Sequence, residues 1–234
     1  MSPPCVLVLA GLDPSGGAGL LADAEAVRSS GATPLCVATA LTVQTRRAAR
    51  RFEPVSPDLI ADSVRALLEE EDVRAIKIGM VGNAANARAI RGLLPAGIPV
   101  VVDPVLSSSS GVPLFQGLAR SLLELAAGAL LTPNIPEAQV LLGGPADATN
   151  LLLQGPSAVL LKGGHLEGDP ADVLATASGK EVFSAPRIAS NARGTGCRLA
   201  SAIAAGLARG LPLRESVIAA RALVRDYLQA HLSV

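Results

Sequence analysis

Apolar runs of strand length recur along the chain, and helical patterns separate them. Val6 to Leu12, Leu35 to Val43, Ala75 to Gly79, Val100 to Val102, Ala129 to Leu131 and Val159 to Leu161 read as strands buried on both faces. Leu20 to Ser29 predicts a helix ended by Gly31. Ser56-Pro57 predicts an N-cap with proline at the first helical position, and Ile60, Val64, Leu67 and Leu68 mark the buried face behind it. Leu118, Leu122 and Leu125 mark another such face, closed by Gly128. This alternation predicts βαβ units and a parallel, doubly wound α/β sheet. Near Asp172 the pattern changes. Asp172 to Ala177 and Glu181 to Ser184, joined by Ser178-Gly179-Lys180, predict a hairpin on that sheet. Two helices follow a glycine loop; Leu199, Ile203 and Leu207 mark the first, and Val217, Ala220, Val224 and Leu228 the second. With no repeat or linker, residues 1–234 read as a single domain.

Composition changes this picture in a few respects. Half the residues are apolar, so a sizeable core can be buried, and aromatics are scarce at 2%, leaving Ala, Val and Leu to fill it. The formal net charge is zero, which argues against a nucleic-acid or anionic-membrane partner. The run Cys5 to Leu12 is too short to span a membrane and lacks a basic leader, so it reads as a strand. Cys5, Cys36 and Cys197 fit no metal or disulfide framework, and a cytoplasmic setting is expected. Whether the chain forms a homodimer stays open.

Ligands of open α/β sheets bind outside the carboxyl ends of the strands, so polar residues there are the candidates. The loop Asn191-Ala-Arg-Gly-Thr-Gly-Cys197 leads straight into an apolar helix. Gly194 and Gly196 free its backbone, and the helix start presents unpaired N–H groups and the positive end of its dipole. That is an anion site with Cys197 at its mouth, or else a plain turn with a small buried filler. Asp13-Pro-Ser-Gly-Gly-Ala-Gly19 is neither a dinucleotide fingerprint nor a P-loop, yet three glycines with an Asp exceed what a turn requires. Gln44 offers one acceptor and two donors to a heterocycle edge, although a solvated loop glutamine is the plainer reading. Arg46, Arg47, Arg50 and Arg51 read as a solvated face. Asp103 ends one strand, and Asn134 and Glu137 follow another beside Pro136 at a helix start. Glu137 is either a helix-terminus carboxylate or, with Asp103, a holder of hydrated Mg2+ near a phosphate chain. Lys162 ends a further strand and must reach an anion or solvent; His165 reads as a loop residue. No Ser-His-Asp or Cys-His set is legible. An anion hole, a candidate base, carboxylates and a lysine are the parts of phosphoryl transfer.

Seven stretches in order carry a resemblance. They are Asp13 to Gly19, Thr39-Ala-Leu-Thr-Val-Gln44, Lys77-Ile-Gly-Met80, Asp103-Pro-Val105, Thr132-Pro-Asn-Ile-Pro-Glu-Ala138, Lys162-Gly-Gly-His165 and Gly194-Thr-Gly-Cys197. Together they resemble the hydroxymethylpyrimidine/phosphomethylpyrimidine kinases of thiamine biosynthesis, in the ribokinase-like superfamily. The resemblance implies a three-layer α/β/α fold with a mostly parallel central sheet, ATP and Mg2+ as cofactors, and a 4-amino-5-hydroxymethyl-2-methylpyrimidine substrate. It implies that Gly11, Ala18, Val43, Gln44 and Met80 bind the pyrimidine. It also implies that Gly194, Thr195, Gly196 and Cys197 form the catalytic loop, with Cys197 where sugar kinases of the superfamily place an aspartate base. Lys162, Asn134 and Thr195 are then expected at the phosphates, and Asp103 and Glu137 at the metal. The sequence departs from the pattern at Leu106-Ser-Ser-Ser-Ser-Gly111, where many relatives carry a lysine, at Arg193 and at Arg198.

The expected activity is transfer of the ATP γ-phosphoryl to the pyrimidine hydroxymethyl oxygen, then a second phosphoryl to the product. A helix N-terminus predicts a lowered pKa for Cys197. Arg198, in the first helical turn, is expected to be either an exposed residue tolerated against the dipole or a grip on phosphate. A pyridoxal kinase of the same superfamily and a non-catalytic pyrimidine-binding protein remain as alternatives.

Overall fold

The computed structural model describes residues 2–108, 110–164, 168–190 and 192–232. Among them Cys5–Leu12 forms β1, Gly19–Ser29 α1, Thr33–Gln44 β2, Ala49–Pro54 β3, Pro57–Glu70 α2 and Val73–Ile78 β4. A short β5 (Gly82–Asn83) precedes α3 (Ala84–Arg91) and β6 (Val100–Val102). Then come β7 (Phe115–Gln116), α4 (Arg120–Leu125), β8 (Leu130–Leu131), α5 (Ile135–Leu142) and α6 (Ala148–Leu152). The chain continues through β9 (Ala158–Leu161), β10 (Ala171–Thr176) and β11 (Gly179–Ser184) to α7 (Thr195–Ala208) and α8 (Leu213–Ala230).

Among the described residues, nine strands make one sheet in the order β11-β10-β9-β8-β6-β4-β1-β2-β3. The six strands from β9 to β2 run parallel, and β3, β10 and β11 pair antiparallel at the two edges. The buried faces of the parallel strands supply two apolar clusters, one on each side of the sheet. Leu7, Leu9, Ile76 and Ile78 pack with α2 and α3 residues on one side. Val6, Val8, Ala75 and Val101 pack with Leu199, Ile203 and Val217 of α7 and α8 on the other. The three-layer expectation holds because each strand alternates its side chains between these two cores.

Every predicted strand is present, and the hairpin forms as β10 and β11. Ser56 caps α2 by accepting from the Leu59 amide. Leu118 is a correction: it precedes α4 and is 78% exposed, so it marks no buried face. The arginine run is also more than a solvated face. Arg50 and Arg51 are exposed, and they lie in β3, an edge strand, where charged side chains disfavour pairing with another sheet edge. His165 lies outside the described residues, as do Asn191 and Ser109 of the serine tract. No described helix is long and apolar enough to cross a membrane.

Candidate active site

The carboxyl ends of β1, β2, β4, β6, β8 and β9 open into one cavity of about 670 Å³, roofed by the loop into α7. At one end stand Gly11, Ala18, Gln44 and Met80; at the other, Asp103, Asn134, Glu137 and Lys162; Gly194 to Cys197 join the two. Twelve of the thirteen expected site residues therefore meet in one place. Val43 is the exception. Along β2 successive side chains alternate, so Thr42 and Gln44 face the cavity while Val43 is 45% exposed on the other face.

Two glycines set the shape of the acceptor end. A Cβ on Gly11 would lie 2.6 Å from Met80 Sδ, so only glycine lets the thioether lie across the β1 end. Gly194 caps α7 in the left-handed conformation, at φ 69°, and any Cβ there would collide with the Gly17 carbonyl oxygen. The 13–19 loop and the α7 loop are thus pressed together, and the first-turn amides of α7 face the cavity between them.

Lys162 Nζ donates to Asp103 Oδ1 at 2.7 Å, and Thr132 Oγ1 approaches the same oxygen at 3.4 Å. Burial opposes the charge on Lys162, but Asp103, then Glu137, hold its pKa above the ordinary lysine value. Glu137 and Asn134 form a capping box at the start of α5: each side chain accepts from the other's amide at 2.8 Å. The helix-terminus reading of Glu137 is therefore correct, and it coexists with a place beside Asp103 and Lys162. Burial pushes the Glu137 carboxyl up to about 7, with Lys162 pulling it back and Asp103 adding to the rise.

Cys197 departs from expectation. Burial, then the Asp23 carboxylate, push its thiol up to about 11, outweighing Lys77 and the Gly19 amide, which act the other way. The helix start is real, but desolvation wins. One turn below, Ser201 Oγ donates to Asp23 Oδ1 at 2.8 Å, and Lys77 Nζ donates to Asp23 Oδ2 at 2.7 Å, with both members of the ion pair fully buried. Burial opposes the charge of Lys77, and Asp23, Cys197 and Asp103 together hold it charged. Sequence reasoning missed this pair. Its signal was present: an Asp in the Leu20 to Ser29 helix pattern and a Lys inside an apolar strand, neither of which is buried without a partner.

Arg198 is neither exposed nor aimed at the cavity. It is 4% exposed; its guanidinium donates to Glu25 Oε2 at 2.7 Å and to the Gly17 and Arg193 carbonyls at 3.3 Å, and stacks 3.9 Å over the Tyr227 ring. The side chain leaves the first turn of α7 on the side away from the cavity. Arg193, by contrast, lines the cavity; it is half-buried and donates to the Thr45 carbonyl at 2.7 Å.

A sequence profile of the family described as phosphomethylpyrimidine kinase matches residues 13–234. The chain belongs to the phosphomethylpyrimidine kinase family. It is therefore a kinase, a phosphotransferase on the ribokinase-like fold that its motifs led one to expect. It is 38% identical to the hydroxymethylpyrimidine/phosphomethylpyrimidine kinase of Rhizobium meliloti, over 97% of this chain and 90% of that one. The crystal structure of a phosphomethylpyrimidine kinase from Clostridium difficile superposes with a TM-score of 0.83 at 32% identity, covering 96% of this chain and 99% of that one. A Staphylococcus aureus pyridoxal kinase in complex with AMP-PCP and pyridoxal superposes with a TM-score of 0.83 at 25% identity, covering 96% and 87%.

Proposed function

We propose that this kinase transfers the γ-phosphoryl of ATP to the hydroxymethyl oxygen of 4-amino-5-hydroxymethyl-2-methylpyrimidine, and a second phosphoryl to the resulting monophosphate, in thiamine biosynthesis. Residues 1–234 act as one catalytic domain. The observation that carries the reading is one cavity lined by Gln44 and Met80 on one side and by the α7 start, Asp103 and Lys162 on the other.

Gly11, Ala18 and Met80 enclose the ring, and Gln44 pairs with its polar edge. The hydroxymethyl oxygen then faces Cys197. A new P–O bond forms at that oxygen as the bond from the γ-phosphorus to the bridging oxygen breaks, and ADP leaves. The hydroxyl proton goes to the Cys197 thiolate. Phosphoryl transfer needs positioning and charge stabilisation above all, and the first-turn amides from Gly194 to Cys197 supply both to the transferring group. Lys162, Asn134 and Thr195 hold the phosphate chain.

The donor set suits Mg2+. Asp103 and Glu137 offer hard oxygens, and a buried carboxyl raised to about 7 is one that a nearby cation relieves. Among the described residues no three His, Cys, Asp or Glu side chains are placed to hold a metal by themselves, which fits a cation bound largely through water and phosphate oxygens. When bound, Mg2+ neutralises charge on the phosphate chain.

ADP release measured with the pyrimidine, its monophosphate and pyridoxal tests the reading. Turnover of both pyrimidines well ahead of pyridoxal is expected. Preference for pyridoxal, or ADP release that no acceptor accelerates, contradicts it.

A further inference from the structure

Gln44 is 9% exposed at the end of β2, and its orientation is not free. Its Nε2 donates to Asp13 Oδ2 at 2.7 Å. Asp13 is itself 3% exposed and surrounded by donors. Oδ1 accepts from the Ser15 amide at 2.8 Å and from Ser15 Oγ at 2.7 Å; Oδ2 accepts from the Ala18 amide at 3.1 Å as well as from Gln44. A carboxylate fixed by four donors has none to return, so it accepts only the NH2 end of the glutamine amide. Turning the amide over would set Oε1 against a carboxylate oxygen. Among the described residues no donor reaches Gln44 Oε1, and the side chain lines the cavity.

The amide therefore shows the ligand one acceptor, Oε1, and one remaining N–H, in a fixed order. The complementary edge has an exocyclic donor next to a ring acceptor, as an amino group beside an unprotonated ring nitrogen has. A 4-oxopyrimidine carries the reverse order, a carbonyl beside a ring N–H. It would set oxygen against oxygen and hydrogen against hydrogen unless the glutamine turned over. We infer that Asp13 is a specificity-determining positioning residue: it locks the Gln44 amide so that the kinase accepts an aminopyrimidine edge and rejects the oxo edge. This rests on the pyrimidine reading above and adds how that reading discriminates. Stranding paired polar groups is what makes such rejection strong.

The test is calorimetric binding of 4-amino-5-hydroxymethyl-2-methylpyrimidine and of its 4-oxo counterpart to the wild type and to Asp13→Asn. The wild type is expected to favour the amino compound by at least about tenfold. Asparagine can turn either its oxygen or its NH2 toward Gln44, so the lock opens and the ratio falls to within about threefold, with the oxo compound gaining. A purely structural role for Asp13 would weaken both ligands and leave their ratio alone. Asp13 also ties down the 13–19 loop, so AMP-PCP binding and the melting temperature check that the variant is folded. The wild type supplies a second measurement if it is not: one Gln44 Nε2 proton, assigned by its loss in Gln44→Met, exchanges with solvent much more slowly than the other. Equal binding of both pyrimidines by the wild type, an unchanged ratio in folded Asp13→Asn, or equal exchange of the two protons overturns the lock. Binding of neither pyrimidine to the wild type overturns instead the proposed function beneath it.

Discussion

A thiol pushed up to about 11 is protonated at neutral pH, so in the proposed mechanism Cys197 accepts the hydroxymethyl proton only after losing its own. The groups that bear on it are Asp23 of α1, Lys77 of β4, Asp103 after β6 and Lys162 after β9. Below its pKa the thiolate fraction grows about tenfold for each pH unit, so kcat should climb with pH from 7 toward 10. Cys197→Ala should bind the pyrimidine normally, lose about 10²–10⁴-fold in kcat and show no such climb. Stopped assays across that pH range check both; near-normal turnover by the alanine variant would leave only the anion hole. The position of Cys197 was legible from the glycines before it and the apolar helix after it. The direction of its pKa was not, because a helix start is local in sequence whereas burial and Asp23 arrive from elements far along the chain. Gln44 was legible only through its motif: a single amide after an apolar run looks the same whether it meets solvent or Asp13.

The start of α7 is held by more than its own hydrogen bonds. Arg198 joins it to α1 through Glu25, to α8 through Tyr227 and to both glycine loops through the Gly17 and Arg193 carbonyls. Glu25 is largely exposed, so the ion pair itself contributes little. The buried guanidinium matters for the donors it supplies and the ring it covers. Arg198→Ala should destabilise the protein by roughly 2–3 kcal/mol, read from urea unfolding, and Arg198→Lys should recover less than half because an ammonium cannot form the same fork. A more stable alanine variant would show that the dipole penalty at the first turn outweighs these contacts. Helical period predicted α7 well but could not say which way a first-turn arginine points; that depends on α1 and α8 being where they are. In the same way β3 escaped notice because Arg46 to Arg51 carries no alternation of apolar and polar residues, and the pairing with β2 alone makes it a strand.

At the scale of the molecule, the parallel sheet was legible because its strands read as unbroken apolar runs; the central ones are buried on both faces, whereas β2 exposes Leu41 and Val43. So was the ligand side, since every motif but the Gly194 to Cys197 loop fell at or near the carboxyl end of a parallel strand. The buried Lys77–Asp23 pair beneath the site was not, because nothing in either residue's neighbourhood names the other. In the proposed function one cavity takes an aminopyrimidine at one end and phosphates at the other, and product identity tests that most directly. Phosphorus-31 NMR of the purified kinase with ATP, Mg2+ and 4-amino-5-hydroxymethyl-2-methylpyrimidine should show a phosphomonoester resonance that grows with ADP and then gives way to a diphosphate ester. ATP consumed to inorganic phosphate alone, with no phosphorus resonance coupled to the pyrimidine methylene, would contradict it.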